Sequence, residues 1–141
     1  MAHFFRGLVL WILLSGFPVL AEEISRQEAL AIRAVISEQL DAFRRDDGLR
    51  AFALATAGIR ARFGSAEVFI QMVRSAYPAV YRPQTVQFEV PELVDGTVIQ
   101  PVMLTDADGR AWIALYPMER QPDGVWRING CQLARVQGRE T

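Results

Sequence analysis

The sequence predicts an α+β domain in which N-terminal helices pack on a curved, four-stranded antiparallel sheet. Apolar residues recur at helical spacing in the first half of the chain, up to residue 76. From Gln84 onward, apolar and polar residues alternate, which is the period of a strand. Two Asp-Gly turns, at 106–109 and 121–124, separate the last three alternating runs. Helices and strands in separate blocks predict α+β rather than an alternating α/β fold.

Residues 1–21 are predicted to be a signal peptide and residues 22–141 a single domain. Arg6 precedes an apolar run over 7–20, and Ala21 provides a small residue before two glutamates. This run is shorter than the roughly 20 residues of a spanning helix, although an uncleaved anchor is the alternative interpretation. We therefore expect an exported protein, in the bacterial periplasm, without membrane attachment after cleavage.

Composition excludes several kinds of catalysis. The chain has no lysine, and its one histidine, His3, would leave with the signal peptide. The mature domain then lacks an imidazole base, a Schiff-base amine and histidine metal ligands. Cys131 is the single cysteine, so zinc sites built on several cysteines are excluded too. We predict no metal and no cofactor. A net charge of −1 without a basic block gives no support to nucleic-acid binding.

Three helices are predicted from capping signals and apolar spacing. A capping box over 25–28 begins the first helix, which ends near Arg45. A short helix follows over 49–55. Ser65 caps the third helix, which ends before Pro78 because the residue before proline is disfavoured in the α conformation. We expect the segment after it to be a rigid connector.

The two turns predict the register of the sheet. If each is a three-residue loop that closes with a left-handed glycine, counting from the turns pairs the strands. Tyr116 then lies opposite both Gln100 and Gly130. The four predicted strands cover residues 85–90, 97–105, 110–120 and 125–136.

The register divides the sheet into two apolar faces. We assign the aliphatic face to the helices; it carries Ile99, Met103, Ile113, Leu115, Cys131 and Leu133. The other face is more aromatic and carries Val98, Gln100, Val102, Leu104, Trp112, Tyr116, Met118, Trp126 and Ile128. Because large exposed apolar patches mark interfaces or ligand sites, we expect a second subunit, a partner or a ligand to cover the aromatic face.

Several motifs carry a resemblance to a known family. They are Phe63-Gly64, residues 77–83, Gln100, residues 108–112, Leu115-Tyr116 and residues 123–131. These motifs resemble the uncharacterised bacterial family called domain of unknown function 4864, which is similar in layout to the nuclear transport factor 2-like, cone-shaped superfamily. The resemblance implies a curved sheet around a long helix and pairing through the open face, hence a possible homodimer. It implies a fold and no reaction.

Seven residues are candidates for binding a ligand or partner. They are Tyr77, Tyr81, Gln100, Trp112, Tyr116, Trp126 and Arg127. The two tyrosines of the 77–83 segment are held by prolines and follow the third helix, where cone-shaped relatives have the mouth of their pocket. The alternatives are structural: tyrosines that pack by their rings, tryptophans in the core, an ion pair between Arg127 and Glu119, and a buried, unreactive Cys131.

Two functions are compatible with these residues. The first is an exported, non-catalytic module that binds a small molecule or a protein through a cone pocket or the aromatic sheet face. The alternative is an enzyme resembling ketosteroid isomerases or dehydratases, with a carboxylate base and tyrosine donors. Asp41, Asp46 and Asp47 could offer that carboxylate, although the last two are predicted as helix caps. A carboxylate near Tyr77 or Tyr81 inside a closed cavity would favour the enzyme.

Overall fold

The computed structural model describes residue 16 and residues 23–137 of the chain. The predicted signal peptide, apart from residue 16, lies outside the described residues. Within the described part, five helices precede six strands, and none of these helices is long and apolar enough to cross a membrane. The helices are α1 (Arg26–Arg44), α2 (Gly48–Ala53), α3 (Ala57–Phe63), α4 (Ala66–Ala76) and α5 (Pro78–Tyr81). The strands are β1 (Thr85–Phe88), β2 (Glu92–Val94), β3 (Thr97–Thr105), β4 (Ala111–Arg120), β5 (Trp126–Ile128) and β6 (Gln132–Arg135).

The long helix α1 follows the predicted capping and apolar pattern. The Ser25 hydroxyl accepts a hydrogen bond from the backbone N–H of Glu28 at 3.1 Å, which satisfies one of the free amides at the helix start. Ile32, Ile36 and Phe43 are at most 1% exposed and lie on one side of the helix. Burial of this apolar face against the sheet, more than helix propensity, holds the helix in place.

Two short helices were not predicted. Thr56 caps α3 by accepting the N–H of Ile59, and its hydroxyl also donates to Asn129 at 2.8 Å. Pro78 begins α5 at the first helical position, where its missing N–H costs nothing. The sequence pattern misses α3 because Gly58 resembles an interruption. It misses both because such short helices depend on tertiary contacts.

The predicted fold class is confirmed: helices pack on a curled antiparallel sheet in an α+β arrangement. The strand order is β1-β3-β4-β5, with β2 also paired to β3 and β6 to β4. The sheet has six strands in the described residues rather than four. The extra strand β2 pairs through a turn at Asp95 and Gly96, both with positive φ. The last predicted strand is divided into β5 and β6.

The register predicted from the two turns is confirmed up to Ile128. Tyr116 pairs with Gln100, and Met118 pairs with Ile128. Beyond that point the prediction is wrong by one residue, because Leu115 pairs with Gln132. Residues 130 and 131 therefore both lie opposite Tyr116 as a β-bulge, and glycine at position 130 permits the φ of 130° found there.

The assignment of the two sheet faces is also wrong. The aromatic face lies against the helices, and its members in the core are Gln100, Val102, Leu104, Tyr116, Met118, Trp126 and Ile128. Alternation shows that residues share a face but not which face is covered. The face with more large side chains gains more free energy from burial. The chain therefore covers the aromatic face with its own helices. The homodimer stays a prediction, and the aliphatic outer face is the sheet surface that remains for it.

Candidate functional site

A small cavity of about 140 Å³ lies between the helices and the inner face of the sheet. Its walls are mainly apolar. Phe43, Ile59, Phe69 and Val73 contribute from four different turns of the helices, and Ile128 contributes from the sheet.

An aromatic cluster builds the helical wall of the cavity. Phe69 on α4 is its centre, with ring centroids 6.0 Å from Phe43, 5.6 Å from Phe52 and 5.5 Å from Phe63. These tilted and edge-on contacts are the preferred geometries of aromatic pairs. Because four rings from α1, α2, α3 and α4 meet here, the shape of the cavity depends on all four helices.

Tyr116 on β4 lines this space and carries a buried hydroxyl. The residue is 1% exposed, and its hydroxyl is the one buried side-chain oxygen or nitrogen without a hydrogen-bond partner among the described residues. Burial, and next the neighbouring Cys131 thiol, raise the pKa of the Tyr116 phenol well above its usual value. The hydroxyl therefore stays protonated at physiological pH. An unsatisfied buried hydroxyl of this kind costs about 1–3 kcal/mol.

Cys131 lies beside Tyr116 because of the bulge. It was predicted on the aliphatic face among leucine and isoleucine side chains; the residue lines the cavity and also a groove that Ile99 and Leu115 line on the outer face. The predicted buried thiol is partly buried, and this burial raises the pKa of Cys131 to about 12. A thiol with this pKa is protonated at neutral pH and is a poor nucleophile.

Two further polar residues at the cavity were missed from the sequence. Gln39 on α1 is 3% exposed, and its Nε2 donates to the Ala51 carbonyl at 3.1 Å, which joins α1 to α2. The signal for it was available, because Gln39 follows Ile36 by three positions on the buried stripe. Arg62 lines the cavity from α3. Its location could not be expected while α3 itself was unpredicted.

Of the two tyrosines in the 77–83 segment, only Tyr77 lines the cavity. The Tyr81 ring is buried in the core 5.7 Å from that of Phe43, and its hydroxyl points toward α1's end, where it donates to Asp46. Arg74 donates to the same hydroxyl at 3.0 Å, and Arg82 donates to Asp46 at 2.9 Å. These hydrogen bonds join the end of α1 to α4 and α5.

The cap prediction is confirmed for Asp47 and wrong for Asp46. Asp47 accepts the backbone N–H of Arg50 at 3.1 Å, whereas Asp46 has a φ of 54° and binds the side chains of Tyr81 and Arg82. The hydrogen bond from Tyr81, and next the one from Arg82, lower the pKa of Asp46. The Asp46 side chain is 56% exposed. A carboxylate does lie within reach of Tyr81, but at the surface and outside the cavity.

The other four predicted candidates stabilise the fold by contacts inside the chain. Gln100 is buried, and its Nε2 donates to the carbonyls of Glu89 and Pro101. Trp126 belongs to the core. The indole N–H of Trp112 donates to Asp106 at 2.9 Å.

Arg127 is the last of these four. It pairs in register with Glu119 as predicted, but its guanidinium donates to the Ala53 carbonyl at 2.7 Å. The described residues show no ion pair between Arg127 and Glu119. The residue therefore joins the sheet to the end of α2.

Residues 23–137 contain no cluster of three or more histidine, cysteine, aspartate or glutamate side chains that could hold a metal ion. The chemistry available at the cavity is instead that of neutral hydrogen-bonding groups. Tyr77 and Tyr116 offer hydroxyls, Gln39 offers an amide, and Cys131 offers a thiol. Arg62 adds one permanent positive charge.

Helices packed into a curled antiparallel sheet, with a small apolar cavity between them, define an α+β protein of cone-like form. The chain belongs to the family described as domain of unknown function (DUF4864), whose model matches residues 25–141. The resemblance based on the sequence motifs is thereby confirmed. Comparison with curated proteins and with solved structures gave no match. The likeness to the nuclear transport factor 2-like superfamily stays a prediction.

Proposed function

We propose that this protein is a non-catalytic binding module that holds one ring-sized, mainly apolar molecule in its cavity. The observation that carries the proposal is the buried Tyr116 hydroxyl. It makes no hydrogen bond of good geometry in the described part of the chain, the weakly hydrogen-bonding Cys131 thiol is its polar neighbour, and Tyr116 is one of the residues that line the mainly apolar cavity. Native proteins satisfy most buried polar groups, so an exception needs an explanation. A ligand that hydrogen-bonds this hydroxyl supplies one.

The size of the cavity supports a ligand with a single ring. An apolar protein cavity of about 150 Å³ binds benzene and otherwise stays dry, and the cavity here has about 140 Å³. A water molecule needs two to four polar partners to be held well. Around Tyr116 most lining side chains are apolar, so a ring with one oxygen matches the cavity better than water does.

The composition of the cavity favours binding over the isomerase-like alternative. That chemistry needs a buried carboxylate next to a phenol in an apolar pocket. No aspartate or glutamate lines the cavity among the described residues. The carboxylate next to Tyr81 belongs to Asp46, which is exposed and paired with arginines.

We also propose that the protein acts after export to the bacterial periplasm. The support is the pattern of residues 1–21, with an arginine, an apolar run of 14 residues and a small residue before two glutamates. The mass of the intact protein purified from its own cells tests this. A chain that begins at Glu22 agrees with the proposal, and a full-length chain contradicts it.

Calorimetric titration with phenol, paired with a cavity-filling variant, tests the binding proposal. Val73 lines the cavity from α4, and Val73→Phe fills it with a ring. Val68→Phe is the matched control, because Val68 lies on the same helix and is 51% exposed. We expect phenol to bind wild-type protein and the control with a Kd on the order of 1 mM, about −4 kcal/mol, and not to bind Val73→Phe.

A second filling variant makes the test independent of how Val73→Phe folds. Ala55 also lines the cavity and is 1% exposed, so Ala55→Leu reduces the same space from another wall. Circular dichroism shows whether each variant is folded. Equal phenol binding by wild type and a folded filling variant, or no phenol binding by wild type, would overturn the proposal.

A further inference from the structure

The inner part of the cavity offers neutral hydrogen-bonding groups and no charge. Tyr116 lies there next to Cys131, and both side chains are protonated at neutral pH. Burying an unpaired charge beside them would cost far more than the contacts of one ring return. The part of a ligand that meets the Tyr116 hydroxyl is therefore a neutral oxygen, such as a phenol or a ketone.

The outer end of the cavity is different, and Arg62 marks it. Ile59, Arg62, Gly130 and Cys131 line both the cavity and a groove on the outer face of the sheet. These four residues therefore form the boundary at which the two spaces meet. The Arg62 side chain is exposed there, so it brings a positive charge to the opening of an otherwise neutral cavity.

The neighbouring arginine of the same helix, Arg60, differs from Arg62 in its contacts. Arg60 donates to the Ala55 carbonyl at 2.5 Å, which fixes its guanidinium against the chain. The Arg62 guanidinium makes no hydrogen bond and no salt bridge within residues 23–137. Glu92 also lines the outer groove, yet no ion pair joins it to Arg62 in this part of the chain. The five donors of a guanidinium in a fixed fork match a carboxylate.

We propose that the ligand is a single-ring carboxylic acid that carries a neutral oxygen on its ring. The carboxylate binds Arg62 at the opening, and the ring oxygen binds the Tyr116 hydroxyl inside. This assignment rests on the proposed function, because it names the chemical class of the molecule that fills the cavity. The proposed function alone does not require a charged ligand, whereas this assignment requires a negatively charged one.

Three probes test the contributions of the two ends of such a ligand separately: phenol, benzoate and 4-hydroxybenzoate. We expect 4-hydroxybenzoate to bind wild-type protein about fivefold tighter than phenol, the size of an exposed ion pair. Arg62→Gln removes that advantage and leaves the Kd of phenol unchanged. Arg26→Gln is the control for loss of one charge, because Arg26 is exposed on α1 and lines neither space, and it behaves as wild type. Raising the salt concentration weakens 4-hydroxybenzoate and not phenol.

The outcomes distinguish this inference from the proposed function. If phenol binds and 4-hydroxybenzoate binds no tighter, the carboxylate assignment is overturned while the cavity proposal stands. The carboxylate assignment is overturned as well if Arg62→Gln and Arg26→Gln have the same effect on 4-hydroxybenzoate binding. If none of the three probes binds the wild-type protein, both proposals are overturned.

Discussion

Tyr81 and Tyr116 are buried tyrosines of the same core, with 5% and 1% of their surface exposed, and they differ in what their hydroxyl groups bind. The Tyr81 hydroxyl donates to Asp46 and accepts from Arg74. The Tyr116 hydroxyl lies next to the Cys131 thiol and has no partner within hydrogen-bonding geometry in the described chain. The sequence pattern cannot distinguish two such tyrosines, whereas the partners of their hydroxyls do. The Tyr81 hydroxyl joins helices, and we propose that the Tyr116 hydroxyl binds a ligand.

The largest expected effect concerns the reactivity of the thiol next to Tyr116. With its pKa raised to about 12, Cys131 has almost no thiolate at pH 8. We expect iodoacetamide to label it about fiftyfold slower in the folded protein than in the urea-unfolded protein, where the pKa returns to about 8.5. Mass spectrometry of timed samples measures both rates. Similar rates in the two states would show that this side of the core is open.

Phe43 contributes to both regions, and its removal tests whether they share one core. Its ring is 5.7 Å from the Tyr81 ring, and the residue also lines the cavity. Phe43→Ala removes a ring that is 1% exposed, so we expect the free energy of unfolding to fall by about 3–5 kcal/mol. Urea denaturation followed by circular dichroism measures this change. A loss below about 1 kcal/mol would contradict the packing described here.

The two hydroxyls are compared directly by removing each one. Tyr81→Phe removes one hydrogen bond from Asp46 and one from Arg74, so we expect a clear fall in the urea midpoint. Tyr116→Phe removes an unsatisfied group, so we expect stability to be unchanged or to rise by up to about 1 kcal/mol. If Tyr116→Phe destabilises the protein more than Tyr81→Phe does, the roles assigned to the two hydroxyls are contradicted.

A smaller effect is expected from acid. In the folded protein, the hydrogen bond from Tyr81 lowers the pKa of Asp46 below its usual value of 3.8. A group with a depressed folded pKa stabilises the fold above its unfolded pKa, and that stability is lost as the pH falls through the folded value. We expect Asp46→Asn to lose less stability than wild type between pH 5 and pH 2, as measured by urea midpoints. Asp106→Asn is the matched comparison, because the hydrogen bond from Trp112 lowers the pKa of Asp106 as well.

The fold class and most of the register could be predicted, because the change of period and the two Asp-Gly turns are local signals. The bulge at Gly130 and Cys131 could not, since one extra residue in a strand leaves no clear mark in an alternating pattern. Its consequence is large: it brings the thiol next to Tyr116. The covered face of the sheet was predicted wrongly for a related reason, because alternation does not tell which of two apolar faces the helices meet.

The candidate site could be predicted only in part. Tyr77 and Tyr116 were predicted as binding residues, and both line the cavity. Gln39 and Arg62 were missed. Gln39 is a single polar residue within an apolar stripe, so the pattern does not mark it as part of a site. Arg62 lies on a helix that depends on the Thr56 cap and on contacts with the sheet. Polar groups of a cavity belong to separate elements, so their meeting is a property of the packed fold.

The most direct test of the central claim compares phenol with toluene on wild-type protein and Tyr116→Phe. The two probes fill the same space, but only phenol has a hydroxyl for Tyr116. Calorimetric titration should show phenol binding about fivefold to tenfold weaker in Tyr116→Phe, the loss of one hydrogen bond, with toluene unchanged. If phenol binds both proteins equally, or if both probes lose affinity to the same extent, the Tyr116 hydroxyl is not the group that holds the ligand.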